Sequence, residues 1–350
     1  MSSTLKRRSP VRLSALPTLA LTVALTVAVT VGALAGCSRS GEATSQGDAD
    51  ARPVLISTVP MLGDLVAAVA GDAYDARTLL GRGVDPHVYK PTTSDIIACR
   101  EAAAVFYVGL RLEGALADDL SKLGQKQPHV VAVGPTLPTD RLIPLGEAAD
   151  DGEHTTGEFD PHIWMDVSLW AETVPAIVDT LSQLDPDRAA TFEANAAALQ
   201  DRLAKLHQYV GERIETIPEG RRIMISSHDA FQYFGAAYDL DVRGVQGIST
   251  ASEAGIRDIE NLLALIRESG VTTIFTETST SNKQVEAVVE AAQSEGLQLQ
   301  KVGDLFSDST GPAGTYEGTY EGMVDHNVTM LVTALGGDVP EGGFRSLRDK

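Results

Sequence analysis

The sequence predicts an α/β protein of two lobes, each a parallel sheet flanked by helices, joined by one long rigid helix. Three observations predict it. Short β-rich runs alternate with helical patterns through the first half of the chain. The same alternation restarts in the second half, and between the halves runs one unbroken helical period. The 350 residues are 43% apolar, which is ample for two ordinary cores.

At the amino terminus, Lys6, Arg7, Arg8 and Arg12 precede the uncharged apolar run Leu13 to Leu34. Residues 1–36 therefore have the layout of a secretory signal. The run is long enough to span a bilayer, so a retained anchor is the competing reading. It ends, however, at Leu34-Ala35-Gly36-Cys37, where small residues abut a single cysteine. Those four residues resemble a bacterial lipobox, and the resemblance implies that Cys37 is diacylated and becomes the mature N-terminus. Residues 37–53 are rich in Ser, Gly, Ala and Asp with almost no apolar side chain. Such a segment cannot bury enough surface to offset the entropy of ordering it, and it is expected to be a flexible tether.

The first lobe is expected over residues 54–184, with strands at Val54 to Thr58, Asp75 to Leu80, Ala104 to Val108 and Val130 to Val133. Helical stretches such as Met61 to Val69 and Ser94 to Glu101 lie between them. The connecting helix is expected over residues 185–218, opened by Asp185-Pro186 and stopped by Pro218 and Gly220. Its apolar positions Phe192, Leu199, Leu203, Leu206, Val210, Ile214 and Ile217 keep the helical period. At 1.5 Å per residue it would reach about 45 Å, enough to tie two lobes and limit their hinging. The second lobe, residues 219–350, repeats the pattern with strands at Ile223 to Ser226, Leu240 to Val245, Thr272 to Thr276 and Leu297 to Val302. Helices are expected near Ala230 to Ala237, Glu253 to Ser269, Asn282 to Glu295 and Met323 to Leu335.

Charge narrows the function. The formal net charge of -20 becomes about -24 once the four basic residues of the signal are removed, which disfavours nucleic acid and other polyanions and draws cations. The chain has two cysteines, Cys37 and Cys99. With the first lipidated no disulfide is expected, and Cys99 in the helical pattern Ile96, Ile97, Cys99, Ala103 reads as a small buried hydrophobe.

The residues that carry chemistry recur. Asp85-Pro86-His87 and Asp160-Pro161-His162 are the same tripeptide twice. Proline fixes its own φ and restricts the residue before it, so each imidazole projects from a stiffened backbone, as suits a ligand held ready for a metal. The neighbouring aspartates could accept the spare ring N–H that metal-bound histidines usually donate. A third element, Ser226 to Phe234, places His228 after the strand Ile223 to Ser226, opening a helix. A fourth, Leu305-Phe306-Ser307-Asp308-Ser309, follows the strand Leu297 to Val302. In parallel α/β sheets, ligands bind beyond the carboxyl ends of the strands. Two residues would come from each lobe, and the ion would sit in the cleft. Pattern alone does not choose Asp308 over Asp304, four residues earlier. Glu277, at the end of the strand Thr272 to Thr276, would lie close by as a partner of a ligand or an occasional ligand itself. Trp164 and Tyr89 read as packing walls of the site.

Across Val54 to the last helix the chain resembles the zinc and manganese ABC-transporter solute-binding lipoproteins, cluster A-I or solute-binding protein family 9. The resemblance is carried by Val84-Asp-Pro-His-Val-Tyr89, Phe159-Asp-Pro-His-Ile-Trp164, the stretch Ser226 to Phe234, Val245-Gln-Gly-Ile-Ser-Thr250, Ile274-Phe-Thr-Glu277 and Phe306-Ser-Asp308. Carried over residue by residue, it implies His87, His162, His228 and Asp308 as ligands of zinc or manganese, held as cargo rather than as cofactor. It further implies delivery to a membrane permease driven by a separate ATPase, with the protein an extracytoplasmic monomer anchored through Cys37. No phosphate loop occurs here, since Gly81-Arg-Gly83 lacks the lysine and the spacing. Three nitrogens and a carboxylate suit zinc, and manganese prefers more oxygen. The acidic loop Glu147 to Asp160 carries one histidine, His154, where zinc specialists of the family carry many, which keeps both metals in play. His129, His207 and His326 are assigned no ligand role. The competing functions are a metal-dependent hydrolase in the same cleft with Glu277 as base, which lacks a His-Glu-x-x-His helix, and a surface adhesin or metallochaperone.

Overall fold

A computed structural model describes residues 52–145 and 159–348. The expected signal, Cys37, all but the last two residues of the expected tether, and His154 with most of its acidic loop lie outside the described residues. In the first half, β1 (Val54–Ser57), β2 (Asp75–Thr78), β3 (Ala104–Tyr107) and β4 (Val130–Ala132) form one sheet in the order β2-β1-β3-β4, every pair parallel. Around it lie α1 (Pro60–Ala70), α2 (Thr93–Glu101) and α3 (Gly114–Gly124). Pro60 sits in the first turn of α1, where its missing N–H costs nothing, and Met61, Leu62, Leu65, Val66 and Val69 are buried. In α2, Thr92 and Asp95 cap each other's backbone, and Cys99 is buried among apolar neighbours as expected.

Two short helices, α4 (Val167–Ala171) and α5 (Val174–Leu184), lead into α6 (Ala189–Ile214). With α3 they stand outside the sequence expectation. Asp185-Pro186 opens a 3₁₀ turn, Pro186–Arg188, and the long helix proper begins three residues later. Its 26 residues give a rod of about 39 Å. Phe192, Leu199, Leu203, Leu206, Val210 and Ile214 are all buried, on the order of 10 kcal/mol of apolar burial before the entropy of ordering is charged against it. The helix packs against α1, α4 and α5 of the first half and the last long helix of the second, so it touches both halves.

In the second half, β5 (Ile223–His228) and β6 (Asp241–Gln246) are a parallel pair, as are β7 (Thr273–Glu277) and β8 (Gln300–Leu305). Because β5 lies beside β7, the strands run β6-β5-β7-β8, the arrangement of the first half repeated. The helices are α7 (Gln232–Tyr238), α8 (Ile256–Ser269), α9 (Lys283–Ser294), α10 (Tyr320–Leu335) and α11 (Arg345–Arg348).

Two sequence expectations need correction. β5 does not stop at Ser226 but continues to His228, which pairs with Gln246, so His228 ends a strand instead of opening a helix. Ser-Ser-His lacks the apolar signature of a strand, yet Ser226 Oγ donates to the His228 carbonyl at 2.8 Å, which satisfies this polar run inside the fold. The last strand begins at Gln300, three residues later than expected. Leu297 and Leu299 attracted the assignment through their side chains, but the Leu297 N–H closes the end of α9 on Ala292 O.

One large core joins the first half, α6, α7 and α10. A second, smaller core holds α8 and α9 against the opposite face of the β5–β8 strands. Alternation along the strands divides them, since Met224 enters the large core and Ile225 the small one, as the period of two requires.

Candidate metal centre

Both Asp-Pro-His tripeptides adopt the same local turn. Asp85 Oδ1 accepts the His87 backbone N–H at 2.9 Å, and Asp160 Oδ1 accepts that of His162 at 2.9 Å. An Asp bonding to the backbone two residues on is the usual way this residue builds a turn, and here it aims each ring. The rings are then held differently. Asp160 Oδ1 also receives His162 Nδ1 at 2.8 Å. Asp85 receives instead the Thr250 hydroxyl, at 2.5 Å, from the second half.

His228 is oriented from a neighbouring strand. Glu277 accepts its backbone N–H at 2.9 Å and its Nδ1 at 2.5 Å. The sequence placed Glu277 near the site, and the structure makes it the carboxylate against His228. Where an acid accepts Nδ1–H, the Nε2 lone pair is left to point inward, the arrangement metal-binding imidazoles use.

The four predicted side chains converge. His87, His162, His228 and Asp308 each offer one donor atom, all within 4.8 Å of one another. His87 Nε2 and His162 Nε2 are 3.2 Å apart. Asp308 lies between the other pair, Oδ1 at 3.4 Å from His162 Nε2 and Oδ2 at 3.3 Å from His228 Nε2. A tetrahedron with metal–nitrogen bonds of 2.0–2.1 Å has edges of roughly 3.3–3.4 Å, and these three separations are close to that edge. His228 Nε2 and Asp308 Oδ1 are buried without a hydrogen bond, a costly condition that a cation would relieve. Among the described residues this is the one such group of ligand-type side chains. Asp304 is set apart, accepting the Thr276 hydroxyl at 2.6 Å.

The field matches. Burial opposes charge on His162, but Asp160 and Asp308 outweigh it and raise the ring to about 9. Burial acts likewise on His228, and Glu277 with Asp308 overcomes it. Asp308 is buried, yet the His228 and His162 rings hold its carboxyl well below the ordinary range. His87 has no acid on its ring, and burial carries it down to about 3. Three carboxylates thus surround three imidazoles, a site built for a cation and hostile to anions.

Around this centre, Trp164 stands edge-on to His162 and donates to Ser307 O at 2.9 Å, a wall as expected. Tyr89 lines the approach, with its hydroxyl turned to Asp95 at 2.8 Å. That approach is a cavity of about 370 Å³ at His87, lined by Leu110 and Arg111 of the first half and Ile248 and Ser249 of the second. The turn beneath it is strained, with Gly109, Leu110 and Arg111 all at positive φ. Glu113, buried, ties it by accepting the Val108 and Gly109 N–H groups and the Thr58 hydroxyl. At Gly114, with φ +47, a Cβ would strike the His87 carbonyl. Sequence reasoning missed Glu113 and the role of Thr250. Thr250 carried a signal only as the end of the Val245–Thr250 motif. His207 bonds Tyr238 and His326 bonds the Asp304 carbonyl, both away from the centre.

Comparison with known proteins places this geometry. A family model described as zinc-uptake complex component A, periplasmic, matches residues 55–334. The zinc-binding protein TroA of Treponema pallidum is 41% identical over 287 residues, 82% of this chain and 90% of that protein. The manganese-binding lipoprotein MntA of Bacillus subtilis is 37% identical over 303 residues, 87% and 95% of the two chains. The solved structure of the Treponema pallidum periplasmic zinc-binding protein superposes with a TM-score of 0.76 at 40% identity, covering 81% of this chain and 99% of that one.

Proposed function

We propose, from the premise that this chain belongs to the zinc-uptake component A family of periplasmic binding proteins, that it captures zinc or manganese between its two halves and delivers it to an ABC transporter for import. One observation carries the reading: four donor atoms on four separate segments converge within 4.8 Å, with a carboxylate on the far nitrogen of both fully buried imidazoles. His87, His162, His228 and Asp308 are the ligands in this proposal. Glu277 and Asp160 hold two of them, and neither enters the coordination sphere.

The family's relatives are named as binding proteins, not enzymes. Four protein donors suit storage and hand-over better than hydrolysis, which needs an open position for water. Three imidazole nitrogens favour zinc. The two oxygens of Asp308 facing the donors supply the extra oxygen that manganese prefers. Both ends of transport follow from the same reading: an extracytoplasmic protein, anchored through a diacylated Cys37, handing its ion to a permease whose ATPase is a separate chain. Metal analysis and competitive zinc-against-manganese calorimetry on one purified sample test the cargo. Protein that takes up neither ion would end the reading. Release of Cys37→Ala from membranes tests the anchor.

A further inference from the structure

The two halves of the cleft are not equally tied. The segment that carries Asp308 is bonded to the first half several times over. Trp164 reaches Ser307 O, the Gly83 N–H reaches Ser309 Oγ at 2.8 Å, and Arg82 reaches Thr310 Oγ1 at 3.2 Å and Gly318 O at 3.0 Å. Further on, the Tyr320 hydroxyl donates to Trp164 O at 2.6 Å and its N–H to Asp64 at 3.0 Å. The loop of residues 247–255 between β6 and α8 is the opposite case. Its bonds from Gln246 to Ser252 O, from Ala254 N–H to Gln284 and from Gly255 N–H to Asp258 stay within the second half. It hangs on the α8–α9 layer, which has only the smaller core beneath it. Among the described residues, one hydrogen bond joins this loop to the first half, from the Thr250 hydroxyl to Asp85 Oδ2.

That bond falls where it matters. The other oxygen of Asp85 holds the His87 backbone N–H, and His87 is the one member of the donor set that is not fully buried. Ile248 and Ser249, next to Thr250, form the wall of the cavity above it. We propose that Thr250 is a positioning residue for cargo retention: by clamping Asp85 from across the cleft it keeps the 247–252 loop closed over His87, and so sets how fast the ion leaves. The inference rests on the metal-carrying reading. A locally weak element tied across the cleft by one hydrogen bond is the part of a structure that opens first, and a hydrogen bond to a carboxylate is strong enough to change its opening equilibrium about tenfold.

The test is release of Co²⁺ from loaded protein into excess chelator, followed by stopped flow, for wild type, Thr250→Val and Thr250→Ser. Valine keeps the shape and removes the donor. The expected result is release about tenfold faster from Thr250→Val, with the visible spectrum of bound Co²⁺ unchanged and wild-type release restored by serine. Thr250→Ala, with a thermal melt of each metal-free protein, serves if valine disturbs folding. Release from both the valine and alanine variants at the wild-type rate would overturn the clamp, as would a shifted Co²⁺ spectrum, which would place Thr250's effect on ligand geometry. Wild-type protein that takes up no Co²⁺, Zn²⁺ or Mn²⁺ would instead overturn the metal-carrying reading on which the clamp stands.

Discussion

The tripeptide Asp-Pro-His occurs at 85–87 and again at 160–162, and the two copies behave alike in backbone and oppositely in electrostatics. In both, the aspartate accepts its histidine's N–H two residues on at 2.9 Å. At 160–162 the same oxygen continues to the ring, the histidine is fully buried, and the imidazole is raised to about 9. At 85–87 the aspartate turns its second oxygen to Thr250, the ring has no acid behind it, and burial lowers it to about 3. A three-residue motif therefore specifies a turn and an exit direction. It does not specify the proton affinity of the ligand it presents, which belongs to whatever the rest of the fold packs around it.

Substitutions can break or sharpen that contrast. The largest effect is expected from His162→Ala or His228→Ala, each removing a fully buried donor and leaving its carboxylate unpaired. Affinity for zinc should fall by at least about 10³-fold, a cost of about 4 kcal/mol, with circular dichroism unchanged. Calorimetry showing near-normal binding would remove these residues from the ligand set.

The second test concerns what holds the His87 side, where the turn is supported by a distant acid. Burial pushes Glu113 up to about 7, against the hydrogen bonds from Thr58, Val108 and Gly109. A carboxyl whose folded pKa is raised contributes stability below its unfolded value, near 4.5, and loses it as pH climbs through 7. The loss is about 3 kcal/mol between pH 4.5 and pH 8. In Glu113→Gln this part of the pH dependence should vanish, so that thermal melts of wild type and variant differ more at one end of the range than the other. Parallel melting curves across pH 5 to 8 would refute the assignment.

The two aspartates give the direct comparison. Asp160→Asn leaves an acceptor for the backbone but weakens the charge behind His162, and metal affinity should drop about 10- to 100-fold. Asp85→Asn should cost less, about tenfold or below, and show chiefly as faster release, since Asp85 bonds the His87 backbone and Thr250 but no ring nitrogen. Equal losses at equilibrium from the two variants would mean that the copies are equivalent after all.

Much of this was legible from the chain. The two-lobed α/β plan, the buried face of α6 and the convergence of His87, His162, His228 and Asp308 follow from periodicity, strand-end placement and family motifs. Local sequence could not separate Asp308 from Asp304, because both follow the run Leu297 to Val302 that reads as a strand, whereas in the fold Asp304 lies within β8. Burial decided it, with Asp308 wholly enclosed between two imidazoles and Asp304 bonded to Thr276 outside the centre. Likewise Ser226-Ser227-His228 hides a strand, since its polar groups are satisfied only by neighbours distant in sequence.

What the sequence determined by itself is everything governed by short-range sterics and period: the turns at the two prolines, the helical rod, the alternation that splits Met224 and Ile225 between two cores. What only the tertiary structure decided is the electrostatic character of the site and the tie across its mouth. Glu277 meets His228 from 49 residues away, and Thr250 meets Asp85 from 165. Such pairings depend on distance in space and on the exclusion of water, neither of which a linear pattern encodes.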